Sequence, residues 1–521
     1  MSPATTFYEL FAGNLPARAD KVFLIDPAHS ASYAEVAHEA GRIAAHLAAR
    51  GLAPGERIVV QVRKGWREVA AMLGVAKAGA VIVNVNTAWT ADQLEFVAQD
   101  SGARLLIVEP AMAAALIRRG TDLGILLVTG DGRGLEAVDA WERLPAGFPG
   151  GAVPRPGSAL AAIIYTSGST GKPKGVMLSH DNILTGARSV SSYLALREDD
   201  RLLSVLPYSF DYGLNQLTTM MLVGGSVVHQ PVAMPTEIAR ALREHDVTGL
   251  AGVPPLWIQL VRLLEGNPAA LPKLRFVTNS GGKIPPNILR AMPRVFPGTH
   301  IFLMYGLTEA FRSTYLDPDR FAAKMGSIGR AIPGAEVFVI KHGVGIAGPG
   351  EHGELVHRGP LVSQGYWNRP KATAEKIRPC PELKHLIGDE PVVYSGDIVW
   401  ADEDGDLWFV GRNDALIKAS GFRISPEEVE DLVHVSGLVT DAIAFGVADD
   451  LLGQCVHIAV TLRPGATGGQ LLAHCRKAMP AYMVPRHIHE WPAPMPRTAS
   501  GKLARPDVIR SCAGPQPAAL L

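Results

Sequence analysis

Neither sign of charge dominates this sequence. Lys+Arg and Asp+Glu number 50 each, so no global field exists to hold nucleic acid or an anionic membrane. Cysteine is scarce. Cys380, Cys455, Cys475 and Cys512 are the four present, and no two form a CxxC pair. So few in 521 residues exclude a disulfide framework and fit free thiols in a reducing compartment. No run of about eighteen uncharged apolar residues occurs, so no spanning helix is expected. Met1 to Glu9 lacks a basic segment followed by an apolar run, and no signal peptide is read there. These absences point to a soluble, cytoplasmic protein. What remains is an ordinary globular balance, 47% hydrophobic and 19% charged. The length exceeds what one core usually organises, so two or more domains are expected.

Helical and strand patterns alternate from the start. Ser32 to Arg50 has helical apolar spacing and ends at Gly51, and Trp66 to Ala78 repeats the pattern before Gly79. Between and after them lie short β-branched or apolar runs: Arg57 to Val62, Ala80 to Val85, Leu105 to Val108 and Ile125 to Val128. Strands alternating with helices imply βαβ units and parallel sheets covered by helices. Gly130 to Gly157, rich in Gly and Pro, is an irregular connection. The alternation resumes to about residue 330. From Glu336 to Val410 short strands and Gly turns indicate a β-rich subdomain. The last hundred or so residues, with helices over Ser425 to His434 and Gly469 to Met479, form a small α+β domain.

The densest chemistry is Tyr165-Thr-Ser-Gly-Ser-Thr-Gly-Lys-Pro-Lys-Gly175, directly after the apolar strand Leu160 to Ile164. Glycine lets backbone N–H groups approach phosphate oxygens, and hydroxyls add donors. Thr166, Ser167, Gly168, Ser169, Thr170 and Gly171 supply this lining, with charge from Lys172 and Lys174. The Walker loop GxxxxGK[ST] does not fit. Thr166 stands where its first glycine belongs, and Pro173 follows Lys172.

This segment resembles the signature loop of the adenylate-forming superfamily: acyl-CoA synthetases, amino-acid-adenylating domains and luciferases. The family's further motifs follow in order. They are Met304-Tyr-Gly-Leu-Thr-Glu-Ala310, Tyr394-Ser-Gly-Asp-Ile398, Gly411-Arg-Asn-Asp-Ala-Leu-Ile-Lys418, Gly421-Phe-Arg-Ile-Ser425 and Pro496-Arg-Thr-Ala-Ser-Gly-Lys502. The likeness covers essentially the whole chain. The run Phe210 to Leu217 with Tyr305 to Tyr315 looks most like the AMP-forming acyl-CoA ligases found with bacterial exosortase systems.

The resemblance implies a large N-terminal AMP-binding domain (1–411), a hinge (412–414, at Asp414) and a mobile C-terminal domain (415–521). It implies ATP and Mg²⁺ as cofactors, and CoA or a carrier-protein phosphopantetheine as acceptor. Adenylation drives a carboxylate against the α-phosphate of ATP, so cations and N–H donors must offset the repulsion of two anions. Thr170 and Glu309 are the candidates for holding Mg²⁺, a hard ion that takes oxygen ligands. Thr308 would bond the α-phosphate, and Lys502 would reach the acyl and phosphate oxygens. Asp397 would take the ribose hydroxyls with Arg412 assisting. Adenine would sit by Ser280, Gly281 and Gly282 and stack on Tyr305. After adenylation, rotation about Asp414 would withdraw Lys502 and bring up Gly421, Phe422 and Arg423 to guide the thiol.

The acid is less defined. The pocket implied by resemblance includes Phe210, Asp211, Asn215, Gly252, Thr278, Met304 and Arg312. Asp211 matches the residue that pairs with the α-amino group in amino-acid-adenylating domains, so an amino or polar acid is one reading, with Arg312 on a second group. The other is that Asp211 and Arg312 pair with each other and leave a pocket for a neutral chain. Both respect the cost of isolated charge in a dry site. Lys283 stands where the family commonly has Ala or Glu. A non-catalytic nucleotide-binding protein and a luciferase-like use of the adenylate are the competing functions. The first would show damage to the loop, Glu309 or Lys502, and none is present.

Overall fold

The computed structural model describes residues 4–513 other than 121–124, 131, 136–137, 148–149, 167–172, 232–233, 267–270, 272, 413–416, 420–421, 450–452, 480–482, 493 and 499–500. Two large sheets form the body of the chain. The first has seven strands in the order Asp139–Ala140, Ile125–Val128, Leu105–Val108, Arg57–Gln61, Val81–Asn84, Leu160–Thr166, Lys174–Ser179. It is parallel except for the last pair, which runs antiparallel. The second has nine strands, parallel from His300–Tyr305 across to Val22–Asp26, with antiparallel pairs at its edges. Strands such as Val81–Asn84 and Leu105–Val108 are buried at every position. That is the pattern of parallel strands covered on both faces, and it explains why these runs are almost wholly apolar, buried Asn84 being the exception.

The helices begin where the sequence supplies a cap. Ser32, Thr90 and Ser179 each accept an N–H from the third residue of the helix, whose own side chain answers the cap's backbone. Each such cap satisfies donors the helix cannot pair internally. The first expected helix runs Tyr33–Ala49, with Arg50 as its cap and Gly51 beyond it at φ +70°. Other expected elements differ only at their ends, the largest change being a strand of Val439–Asp449. The Gly/Pro-rich connection also holds the short strand Asp139–Ala140 and a 3-10 turn at Trp141–Arg143.

The β-rich part is an antiparallel sheet of six strands between Glu336 and Arg412. Beyond it, Val429, Val433, Ile458, Leu471 and Cys475 build a separate apolar core on a five-stranded sheet. One continuous core, including Phe7, Phe23, Ile82, Leu214 and Phe311, joins the two large sheets instead. Among the described residues no helix is long and apolar enough to cross a membrane. The cysteines are free, three of them buried.

Gly249 and Phe276 are register partners on adjacent parallel strands, and a Cβ on Gly249 would lie 2.1 Å from the Phe276 ring. A G249A substitution is expected to push that ring out of its slot and cost about 1–3 kcal/mol. The check is a lowered denaturant midpoint in an otherwise folded protein.

Candidate active site

Strand Leu160–Thr166 turns back into Lys174–Ser179, with Thr166 facing Lys174 in register. The hydroxyl- and glycine-rich segment therefore closes a hairpin and does not lead into a helix. Ser167, Gly168, Ser169, Thr170, Gly171 and Lys172 lie outside the described residues, and with them the metal assignment of Thr170. Their frame is firmly held. The Tyr165 hydroxyl donates to Asp100 at 2.7 Å, and Arg369 grips the same carboxylate at 2.6 Å. Lys174 Nζ stands 5.6 Å from the Tyr366 ring centroid. With no helix terminus behind the hairpin, phosphate charge must be met by side-chain cations, loop N–H groups and a metal.

The second element follows strand His300–Tyr305. After a 3-10 turn at Thr308–Ala310, Phe311 adopts φ +55°, ψ −48°, and the Arg312 N–H donates to Ala310 O at 2.6 Å. This is a γ-turn of the strained hand on a bulky residue. Packing holds it. Phe311 is fully buried, and its ring presses on Gly186, where a Cβ would come within 2.4 Å. Glu309, half-buried on the same turn, accepts a hydrogen bond from the Tyr366 hydroxyl.

The turn aims Arg312 at Asp211, the first residue of helix Asp211–Val223. Arg312 Nη1 donates to Asp211 Oδ2 at 3.0 Å, and Thr308 Oγ1 donates to Oδ1 at 3.2 Å. The two charged residues are 1% and 3% exposed. Here the two side chains pair with each other, with a helix N-terminus adding support to the carboxylate. The Arg312 guanidinium lies 4.7 Å from the Tyr212 ring centroid, and the Tyr212 hydroxyl meets Thr278 Oγ1 at 2.6 Å. Met304 accepts from the Tyr193 hydroxyl at 3.0 Å. Phe210 and Asn215 line the same helix end. Gly252 leaves room for Trp257, which a Cβ would meet at 2.9 Å.

Asp397 sits on strand Pro391–Ala401, opposite Arg412 in register. Arg412 Nε lies 3.2 Å from Asp397 Oδ1, and the Tyr305 hydroxyl donates to Oδ2. Oδ1 is buried, and beyond that ion pair it accepts no well-aligned hydrogen bond among the described residues. Burial raises the Asp397 carboxyl above its usual range, and Arg412, Tyr305 and Lys376 pull it back.

Lys502 is delivered by a tight turn in the C-terminal domain. Thr498 N–H donates to Lys502 O at 2.7 Å, and Gly501 takes φ +82°. Its Nζ lies 5.9 Å from the Phe210 ring centroid, and a Cβ on Gly281 would stand 3.4 Å from its Cε. The side chain remains accessible at the cleft mouth, but the protein crowds it enough to lower its pKa. Asp211 and Asp397 oppose that shift and Arg412 reinforces it. One ammonium thus stands between the acyl wall and the ribose site. Gly282 packs near Pro254, whose Cγ a Cβ would meet at 3.2 Å.

Asp414 and Gly421 lie outside the described residues, as do the side chains of Phe422 and Arg423, whose backbone forms the strand Phe422–Ile424. The structure adds three residues that sequence reasoning missed. Tyr366 holds Glu309. Lys376 donates to Ser395 O at 2.7 Å, and burial lowers its pKa while Glu309 raises it. Glu354 accepts the Gly396 N–H at 2.8 Å and so sets the turn before Asp397. All three act from other elements, Lys376 from the end of helix Pro370–Lys376, and no local spacing marks them.

The AMP-binding enzyme family model matches residues 11–367, and the model of that enzyme's C-terminal domain matches 428–502. The chain belongs to the AMP-binding enzyme family. It is 30% identical over 496 residues to the sulfoacetate–CoA ligase of Cupriavidus necator, covering 93% of this chain and 94% of that one. It is 29% identical over 486 residues to surfactin synthase subunit 2 of Bacillus subtilis, which matches 91% of this chain but only 13% of that protein's length. The crystal structure of ATP-bound MatB from Rhodopseudomonas palustris superposes with a TM-score of 0.85 at 26% identity, covering 97% and 98% of the two chains. Within the family, Lys283 is unusual at its position, and here it has a partner. It donates to Asp431 on helix Pro426–Val435 of the C-terminal domain. The pair ties the domain that carries Lys502 to the segment that follows strand Phe276–Asn279.

A partly exposed ion pair of this kind contributes about 0.2–1 kcal/mol. A K283A variant should therefore speed amide exchange of helix Pro426–Val435 about 1.5- to 5-fold by mass spectrometry. A K283D/D431K swap should return it to the wild-type rate.

Proposed function

We propose that this chain is an AMP-forming acid–thiol ligase. It activates a small-molecule carboxylic acid with ATP and passes the acyl group to the thiol of CoA or of a carrier-protein phosphopantetheine. The observation that carries this reading is the placement of Lys502 between the Asp211–Arg312 wall and Asp397. A nucleotide anchored by its ribose on Asp397 has its α-phosphate on the side where the ammonium stands.

In the first step a carboxylate oxygen attacks the α-phosphorus, and the bond to the β-phosphate oxygen breaks with its electron pair on pyrophosphate. Lys502 offsets the meeting of the two anions, and the crowded setting strengthens that attraction. The residues fit Mg²⁺, which neutralises phosphate charge when bound: Glu309 offers a carboxylate steered by Tyr366, and Thr170 is its proposed companion. In the second step the thiol sulfur attacks the acyl carbon, AMP leaves, and the thiol proton passes to solvent. We place the hinge at 412–414 and the mobile domain at 415–521, with Gly421, Phe422 and Arg423 guiding the thiol. The free cysteines fit a cytoplasmic setting.

Acid-dependent exchange of labelled pyrophosphate into ATP tests the first step. K502A should lower that exchange by about 100-fold or more while sparing thioester formation from a supplied adenylate. Equal loss in both steps, or ADP as product, overturns the assignment. The pH profile gives an independent check. Lys502 acts as a cation and its pKa is lowered. Exchange should therefore fall on the alkaline side below the ordinary lysine range, and K502R should push that fall to higher pH.

A further inference from the structure

The acyl wall is rich in donors that nothing satisfies. Arg312 spends Nη1 on Asp211 Oδ2 at 3.0 Å and on Phe311 O at 3.1 Å. Its Nε and Nη2 are buried and have no acceptor among the described residues. Asn215 is one helical turn beyond Asp211 on the same face, 3% exposed, and its Nδ2 is also without an acceptor. That atom lies 3.6 Å from the position a Cβ would take on Gly186, the glycine against which Phe311 packs. Arg312 and Asn215 thus converge on the strained turn from two directions.

Most acceptors at this wall already hold a donor. Each Asp211 oxygen accepts one, from Thr308 and from Arg312. Met304 Sδ accepts from Tyr193, and the Tyr212 and Thr278 hydroxyls face each other. A substrate ammonium at Asp211 would have to compete with the Arg312 guanidinium, and disrupting such a buried ion pair is strongly unfavourable. A plain hydrocarbon end would leave three buried donor nitrogens unpaired, each at a cost of about 1–3 kcal/mol.

We infer that the acid activated at this site carries a second hydrogen-bond acceptor remote from its reacting carboxyl, namely a carboxylate, a sulfonate or a ketone, which Arg312 and Asn215 receive. The inference rests on the ligase reading above and names the substrate class for it. The strained backbone at Phe311 is consistent with this role, because it places Arg312 where Nη1 alone bonds Asp211. An anionic acceptor suits the guanidinium best, since charge-assisted bonds are the stronger ones. Sites built around buried polar groups reject analogues that leave them unpaired far more strictly than apolar pockets reject an extra group.

The test is pyrophosphate exchange, with hydroxylamine trapping of the activated acyl group, on matched acids of four to eight carbons. Each set contains the methyl-ended acid, the dicarboxylate, the ω-sulfonate, the ω-ketone and the α-amino acid, hexanoate and adipate being one such pair. In the wild-type protein, at least one acceptor-ended series should exceed its methyl-ended match by about 100-fold or more in kcat/KM. D211L/R312L removes the pair as a unit and keeps the volume apolar, a change that buried ion pairs commonly tolerate. It should reverse the preference, as N215L should reduce it, with both variants showing the wild-type circular dichroism spectrum. Equal or better use of methyl-ended acids by the wild type, or first preference for α-amino acids, overturns the inference and leaves the ligase intact. No exchange with any acid, while ATP still binds, overturns the ligase reading itself and this inference with it.

Discussion

A single ammonium carried by one domain into a crevice of another organises this molecule. Lys502 is crowded enough for its charge to be disfavoured, and the carboxylates of Asp211 and Asp397 restore it from either side. Those carboxylates are themselves tuned. Asp397 is raised by burial and steadied by Tyr305 and Arg412, while Asp211 is held by a helix start, a hydroxyl and a guanidinium. Take the ammonium away and the cleft keeps its shape but loses the means to bring two anions together. The domain carrying Lys502 has its own apolar core, so it can be positioned as a rigid piece. Contacts such as Lys283 with Asp431 and the Ser425 hydroxyl with Val410 O set where it rests.

The phosphate hairpin follows the same logic. Loops that feed a helix borrow the partial charge of its first turn. Here the chain doubles back into an antiparallel strand, and that help is missing. The hydroxyls, glycines and lysines of the segment offer discrete groups instead. This also fits the failure of the Walker pattern at both of its ends, since the segment leads into a strand and not into the helix that a Walker loop feeds.

Much of this was legible before any coordinates. The alternation of apolar runs and helical stretches marks parallel sheets because burial on both faces forbids polar interruptions. The hinge-side motifs and the Lys502 turn are local, so their order along the chain is visible. What stayed hidden depends on long-range pairing. Tyr366 reaches Glu309 across 57 positions, and Lys283 reaches Asp431 across 148. The Asp211–Arg312 contact spans 101, and charge alone allowed each residue either a substrate or its partner. The γ-turn at Phe311 carries no glycine to announce it. Its positive φ exists because the ring is clamped against Gly186, a constraint written in the packing.

That clamp bears on how the acyl site can change over time. A side chain on relaxed backbone can be exchanged alone, and its replacement points roughly the same way. Residue 312 follows a backbone kink that only its neighbour's buried ring sustains, so altering Phe311 would redirect residue 312 even if that residue stayed the same. Drift in substrate preference must therefore travel with Gly186, Phe311 and Arg312 as a linked set. Lineages that diverge in the acid they use should differ at these positions together, and single exchanges among them should be poor intermediates.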